Sequence, residues 1–270
     1  MSQTDTPDKS LDDYDFVFEA LKNAGISPVL VGGLSVSFWQ EEYRPEIQRE
    51  AVIHSKDLDL LVKDRDEALD VERATGFAFE WAKCGEASPC LAVCQDPDHP
   101  TDLLWTILGP KKEDVLVAAM NTSYRGWPIR VINPVHLLEA KLANCQLDQT
   151  DRMDVVQLCA VCEFYPIFIR KTFESIRKEG ATEREQITIL KIVSQFLENR
   201  DRAFYLKTLG ELHIPVAALF EASGLKRPDT PRFNRFVDDT FIPSLIKAEV
   251  KQGMTGIGFS LERSSSQKLD

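Results

Sequence analysis

Asp57-Leu58-Asp59 opens the apolar run 58–62. Residues two apart in a strand point to the same face, so both carboxylates converge on one side while Leu58 faces the other. Like charges held that close repel, and a divalent cation removes the conflict. An all-oxygen ligand set of this kind suits Mg²⁺, or Mn²⁺, bound jointly with substrate phosphates. Upstream, Gly32-Gly33-Leu34-Ser35 stands between the apolar stretch Pro28-Val29-Leu30-Val31 and a helical pattern carried by Leu34, Val36, Phe38 and Trp39. Glycines there let a backbone approach a phosphate, and the first turn of the helix offers unpaired N–H groups to an anion. Each feature also has a plain structural explanation. The glycine pair suits a turn that merely needs positive φ, and the acidic pair suits a solvated strand edge.

These residues need a strand, a tight turn, a helix and a second strand to hold them. The periodicity predicts an amphipathic helix from Leu11, stopped by Asn23-Ala24-Gly25, and the strand–turn–helix of 28–39 follows. A loop containing Pro45 covers 41–55. Further strands are expected at 57–62, 77–81, 91–94, 103–108 and 127–132, with a helix at 64–74. Pro134 marks a helix start. From there the pattern is helical over 135–147, 151–163, 166–178, 183–199, 201–209, 214–222 and 232–250, the last interrupted at Pro243. The expected organisation is a polar, disordered start at 1–10, a mixed α/β region at 11–133, a helical region at 134–250 and a flexible Gly- and Ser-rich tail at 251–270.

A chain of 270 residues with 43% hydrophobic and 28% charged residues has the composition of a globular protein of one large or two modest domains. With 32 Lys and Arg against 43 Asp and Glu, the net charge is −11, which argues against broad, sequence-independent duplex DNA binding. Local basic patches survive that sum, because residues 165–210 carry more Lys and Arg than Asp and Glu. No apolar run is long enough to span a membrane, and the first ten residues lack the apolar core of a signal peptide. The expected setting is a reducing cytoplasm, with the six cysteines as free thiols.

Taken in order, the strand, the Gly-Gly-x-Ser turn, the helix and the strand opening with Asp-x-Asp resemble the nucleotidyltransferase superfamily, the group related in fold to DNA polymerase beta. The segment Pro134-Val135-His136-Leu137-Leu138-Glu139-Ala140-Lys141-Leu142-Ala143, followed by Asp151-Arg152-Met153-Asp154, is similar to the helical part of its toxin-type and abortive-infection-type members. The resemblance covers residues 28–160. Three departures are visible: the interval from Gly33 to Asp57 is longer than in minimal members, Thr150 stands where a basic residue is common, and Leu34 stands between the glycine pair and Ser35.

The resemblance implies an α+β fold, with an N-terminal nucleotidyltransferase-like mixed sheet and helices followed by an all-helical C-terminal domain. It implies that Gly32, Gly33 and Ser35 hold a nucleoside triphosphate, that Asp57 and Asp59 bind catalytic Mg²⁺ or Mn²⁺, and that a third carboxylate comes from a later strand. Asp102, at the mouth of 103–108, fills that role, or is a turn residue after His99-Pro100-Thr101. Lys141 is expected to meet the nucleotide phosphates, as a buried amine needs an anion. Its alternative is a lysine snorkelling to solvent. Asp151 and Asp154 share a helix face and join the nucleotide site, or serve as an N-cap and a salt bridge. The implied reaction moves a nucleotide from an NTP to an acceptor hydroxyl on tRNA, a protein or a small molecule, releasing pyrophosphate, and a cognate antitoxin is a further implied partner. The rival expectation is a non-catalytic member of the fold that binds nucleotide or a partner protein.

Other clusters weigh less. Cys84, Cys90, Cys94 and His99 lie within a short span, but their spacing matches no common zinc pattern. Cys159 and Cys162 fall on an apolar helical stretch and are expected as core thiols. His54, Arg44 and Arg49 sit near the acidic pair and are expected to be solvated loop residues.

Overall fold

The computed structural model describes residues 9–47, 52–83, 89–94, 96, 98–145, 152–178, 182–193, 202–216, 218–221 and 231–252. Seven strands, β1 (Val29–Leu30), β2 (Leu58–Leu61), β3 (Glu80–Trp81), β4 (Cys90–Cys94), β5 (Thr101–Leu104), β6 (Met120–Tyr124) and β7 (Trp127–Val131), form one mixed sheet in the order β3-β4-β5-β2-β1-β7-β6. The pairs β2–β5 and β1–β7 are parallel and the others antiparallel. Val29, Leu30, Leu58, Leu60, Leu61 and Leu103 are at most 1% exposed. The central strands are thus covered on both faces, which is why they read as short continuous apolar runs.

Two strands differ from expectation. β6 lies at the sheet edge and alternates between half-buried and exposed, so Met120-Asn121-Thr122-Ser123-Tyr124 needs no apolar pattern. A tight turn joins it to β7, with Arg125 at φ 48° and Gly126 at φ 88°. The strand expected at 103–108 instead spans Thr101–Leu104, because β2 offers it partners only from Leu58 to Leu61. Asp102 therefore sits inside the strand, and residues 105–108 leave the sheet.

The helices of the first half are α1 (Asp15–Ala24), α2 (Gly32–Glu42), α3 (Arg44–Ile47), α4 (Arg65–Thr75) and α5 (Lys112–Ala118), preceded by a 3₁₀ turn at Leu11–Tyr14. The first of them packs on α4 and β7, and α2 packs on β2. From Gly33 to Gln40 every residue of α2 is buried. Each large apolar side chain among them contributes about 1.5–3 kcal/mol. Helix α6 (Pro134–Asn144) starts with Pro134 in its first turn, and the Asn133 side chain caps it by accepting from Val135 N.

Beyond α6 the described elements are α7 (Arg152–Lys178), α8 (Glu183–Val193), α9 (Arg202–Glu211), α10 (Ala218–Glu221), α11 (Pro231–Phe236), a π-helical turn at Val237–Phe241 and α12 (Ile242–Lys251). The break expected before Pro166 is not there. Proline removes one ladder hydrogen bond, but Phe164, Tyr165, Ile167, Phe168 and Ile169 are all buried and keep the helix continuous. Near Pro243 the irregularity is the π turn just upstream, whose wider hydrogen-bond ring adjusts the helix before the proline.

The chain divides into two compact units, Met1–Tyr165 and Pro166–Asp270. The first holds the sheet, α1 to α6 and the N-terminal half of α7; the described elements of the second are helical. Among the described residues no helix is long and apolar enough to cross a membrane.

Candidate active site

Asp59 and Asp102 face each other across the parallel β2–β5 ladder, and Asp57, in the bend just ahead of β2, brings its carboxylate to them. One carboxylate oxygen from each of the three lies within 4.8 Å of the others. Among the described residues, this is the one group of three or more Asp, Glu, His or Cys side chains close enough to share an ion.

The segments leading into both strands are braced from behind. In α2, Ser37 and Gln40 grip the backbone of Ile53 from both sides: the Ser37 hydroxyl donates to its carbonyl, and Gln40 Oε1 accepts from its N–H at 2.9 Å. Lys9 and Ser55 exchange backbone hydrogen bonds. Tyr14 is fully buried and its hydroxyl donates to Pro100 O at 2.8 Å. That same carbonyl accepts from Leu58 N at 2.9 Å, so one oxygen ties the backbone between Asp57 and Asp59 to the chain ahead of Asp102. Burial, together with the neighbouring Asp57, Asp13 and Asp59, raises the Tyr14 pKa and keeps its hydroxyl a donor. Polar Ser37 and Gln40, set among Leu34, Val36, Phe38 and Trp39, are the sequence signal that could have pointed to this bracing.

The glycine turn meets a carboxylate. Gly32 has φ +64°, and a Cβ there would stand 1.7 Å from Asp59 Oδ2. The Gly33 N–H donates to the Asp59 carboxylate. A Cβ on Gly33 would stand 2.3 Å from Ser55 Oγ and 2.7 Å from Gln157 Nε2. Positive φ and close approach are thus both required, and the group approaching is a carboxylate of this chain. Ser35 is fully buried and its hydroxyl donates to Gly32 O at 2.8 Å, so it closes the turn and does not line the cleft.

A cleft of about 310 Å³ opens over this turn, large enough for a small ligand. Its polar side carries Gly32, Gly33, Asp57, Asp59, Lys141 and Gln157, and its apolar side includes Leu104, Ile107, Leu108, Leu137 and Met153. Helix α6 contributes Leu137, Ala140, Lys141 and Asn144, the spacing of one helix face. Lys141 is only 4% exposed, which rules out snorkelling, and its ammonium donates to Gln157 Oε1 at 2.6 Å. Asp154 lines the cleft and accepts from Asn144 Nδ2 at 3.5 Å. Asp151 lies outside the described residues, as do Thr150, Arg49 and Cys84. Sequence reasoning missed Ser55, Lys56 and Gln157, all of which line the cleft. The first two adjoin the acidic pair in sequence, but Gln157 on an amphipathic helix gave no signal.

Burial, then Asp57 and Asp102, push the Asp59 carboxyl up to about 8, against the pull of Lys141. Burial and Asp57 push Asp102 up to about 6, and burial raises Asp57 as well. Burial lowers the Lys141 ammonium, although Asp59, Asp154 and Asp57 oppose the shift. With raised carboxyl pKa values the folded state binds more protons than the unfolded chain from the ordinary carboxylate range up to about 8. The metal-free protein therefore loses stability as pH rises through that window. A divalent cation binds the ionised form and reverses the penalty. Added Mg²⁺ is accordingly expected to raise the melting temperature more at about pH 8.5 than at about pH 6. Thermal melts with Mg²⁺ and with a chelator check this, and an equal shift at both pH values would count against a shared ion.

None of the described residues set aside earlier belongs to the carboxylate group that could share an ion, although the Cys90 thiol lies within electrostatic reach of Asp102. His54 is exposed, and Arg44 pairs with Glu41 at 3.8 Å. The Cys90 thiol is directed at the carbonyl of Ala92 at 3.3 Å, while His99 sits against Phe16 and Phe77. Cys159 and Cys162 lie on α7, the first half-buried and the second buried. Comparison of the chain with known protein families and with curated proteins finds no match.

Proposed function

We propose that the protein is a metal-dependent nucleotidyltransferase, an α+β chain whose N-terminal mixed sheet carries the catalytic carboxylates ahead of a helical C-terminal region. The observation that carries this reading is the convergence of Asp59 and Asp102, on adjacent strands, with Asp57 just ahead of β2. The donor set fits a hard divalent cation: three partly buried carboxylates lie within reach of one ion, and burial raises the pKa of each, with Asp57 adding to the rise at Asp59 and Asp102. Mg²⁺ or Mn²⁺ held by Asp57, Asp59 and Asp102 would supply charge stabilisation for an in-line displacement at phosphorus.

The chain's own residues supply the rest. Lys141 brings a buried positive charge to offset the triphosphate, and Lys56 adds a second cation at the cleft lining. The Gly32-Gly33 turn presents backbone without side-chain bulk, and the apolar wall of Leu104, Ile107, Leu108, Leu137 and Met153 excludes water and suits a nucleobase. An acceptor hydroxyl attacks the α-phosphorus, a new P–O bond forms, and pyrophosphate leaves. The acceptor is a hydroxyl on RNA, a protein or a small molecule; an acidic protein attracts cationic small acceptors.

The test is Mg²⁺-dependent transfer of labelled nucleotide from each NTP to a panel of tRNA, protein and hydroxylated small molecules, with pyrophosphate measured in parallel. Activity that survives the double change Asp57→Ala, Asp59→Ala would sink the assignment. NTP binding without turnover on any acceptor would favour a non-catalytic nucleotide-binding role.

A further inference from the structure

We propose that Gln157 is a phosphate-binding residue, whose side-chain amide is held by Lys141 so that its NH₂ group reaches an oxygen of the triphosphate. The inference rests on the nucleotidyltransferase reading and extends it to a residue on α7.

The orientation of the amide follows from its partner. A lysine ammonium only donates, so the group facing it must be the amide oxygen, and Oε1 accepts from Lys141 Nζ at 2.6 Å. The nitrogen is thereby turned the other way. It points at the glycine turn, 2.7 Å from where a Cβ of Gly33 would stand. Ser55 Oγ approaches the same spot from the opposite chain segment, at 2.3 Å. Gln157 is only 6% exposed, and among the described residues its Nε2 has no acceptor. The nitrogen is not sealed from solvent: it opens on the cleft, where a ligand or water can complete it. It lines the cleft that the turn, Asp57, Asp59 and Lys141 also line. An anion seated there would meet the Lys141 charge and the Gln157 N–H₂ donor together, from groups locked to each other. Glycine at position 33 is required for the same reason, since any side chain would occupy the space between the amide and the turn.

The experiment uses the full chain and two variants. Gln157→Glu keeps an acceptor for Lys141 but replaces the donor with a carboxylate; Gln157→Leu removes both ends. Inorganic tripolyphosphate with Mg²⁺ is titrated by calorimetry, and Mn²⁺ alone is titrated by electron paramagnetic resonance to follow the carboxylates. Loss of a hydrogen bond to a charged group predicts tripolyphosphate binding weakened about 10- to 100-fold in both variants, with Gln157→Glu the weaker. Mn²⁺ affinity is expected to stay within about twofold, and KM for NTP to rise more than kcat falls. Wild-type affinity for tripolyphosphate in either folded variant overturns the role of Gln157 and leaves the enzyme assignment standing. A wild-type protein that binds Mn²⁺ but neither tripolyphosphate nor NTP removes the assignment and this inference with it.

Discussion

Asp59→Asn is expected to lower Mg²⁺-dependent nucleotide transfer by about three orders of magnitude or more, a loss of about 4 kcal/mol of transition-state stabilisation. The same change is expected to make the metal-free protein more stable. Asp59 is the centre of the acidic cluster: it stands beside Asp102 across the ladder, lies within reach of the Asp57 carboxylate, and is pushed up to about 8 by burial and by both neighbours. An amide has nearly the same shape and can still accept from the Gly33 N–H, but it carries no charge to repel the other two. A gain of about 1 kcal/mol would raise the melting temperature by about 2–4 °C in a protein of this size. Opposite signs for activity and stability are what a functional cluster predicts and a structural one does not. Thermal melts in chelator beside initial rates in Mg²⁺ check both halves. Activity within tenfold of wild type, or a lower melting temperature with activity unchanged, would overturn the assignment of Asp59 as a metal ligand.

Gly32→Ala is expected to be the most damaging conservative change at the turn. A non-glycine residue at φ +64° costs about 1–2 kcal/mol in backbone strain. The new methyl would also stand 1.7 Å from Asp59 Oδ2, so either the turn or the carboxylate must move. Together these predict a destabilisation of about 2 kcal/mol or more, a melting temperature lower by about 4–8 °C and activity reduced by more than about 100-fold. Gly33→Ala makes the comparison informative. Its crowding comes from the ends of two side chains, Ser55 and Gln157, and its backbone is not in the left-handed region. A smaller loss of stability is expected there, with ligand binding still impaired. A Gly32→Ala protein that melts and turns over like wild type would show that the turn does not set the position of Asp59.

The parts of the site that were legible in the sequence are those where one local rule dominates. The strand–turn–helix of 28–39 was marked by an apolar run, two glycines and a helical repeat, and β1 and α2 occupy it. Pro134 announced α6 because its fixed φ suits a first turn. The Asp57/Asp59 pair was legible because a two-residue spacing at the mouth of a strand brings both carboxylates to one side, and the structure keeps them together although β2 begins only at Leu58. Asp102 required the register between β2 and β5, a property of two segments more than forty residues apart that neither contains. It was found only through the resemblance, and its strand was expected to begin at 103, where β5 begins at Thr101. The edge strand β6 was invisible because an edge needs no apolar pattern, and α7 looked like two helices because Pro166 outweighed the buried residues around it. Gln157 was silent for a different reason: its importance lies wholly in which nitrogen and which oxygen face where, and that depends on Lys141, sixteen positions earlier.

The Pro100 carbonyl that joins Tyr14 to Leu58 has a consequence for the time at which the site comes into being. Its donors come from near the start of the chain and from the second strand, Tyr14 being 86 positions before Pro100. Lys141 and Gln157 are synthesised later still. During synthesis, a chain that has not yet released α7 can form local helices and hairpins, but it has no cradle, since the pairings that build it are all non-local and follow loop closure. The cleft is therefore incomplete until the N-terminal half of α7, which supplies Met153, Asp154 and Gln157 to its lining, has been synthesised.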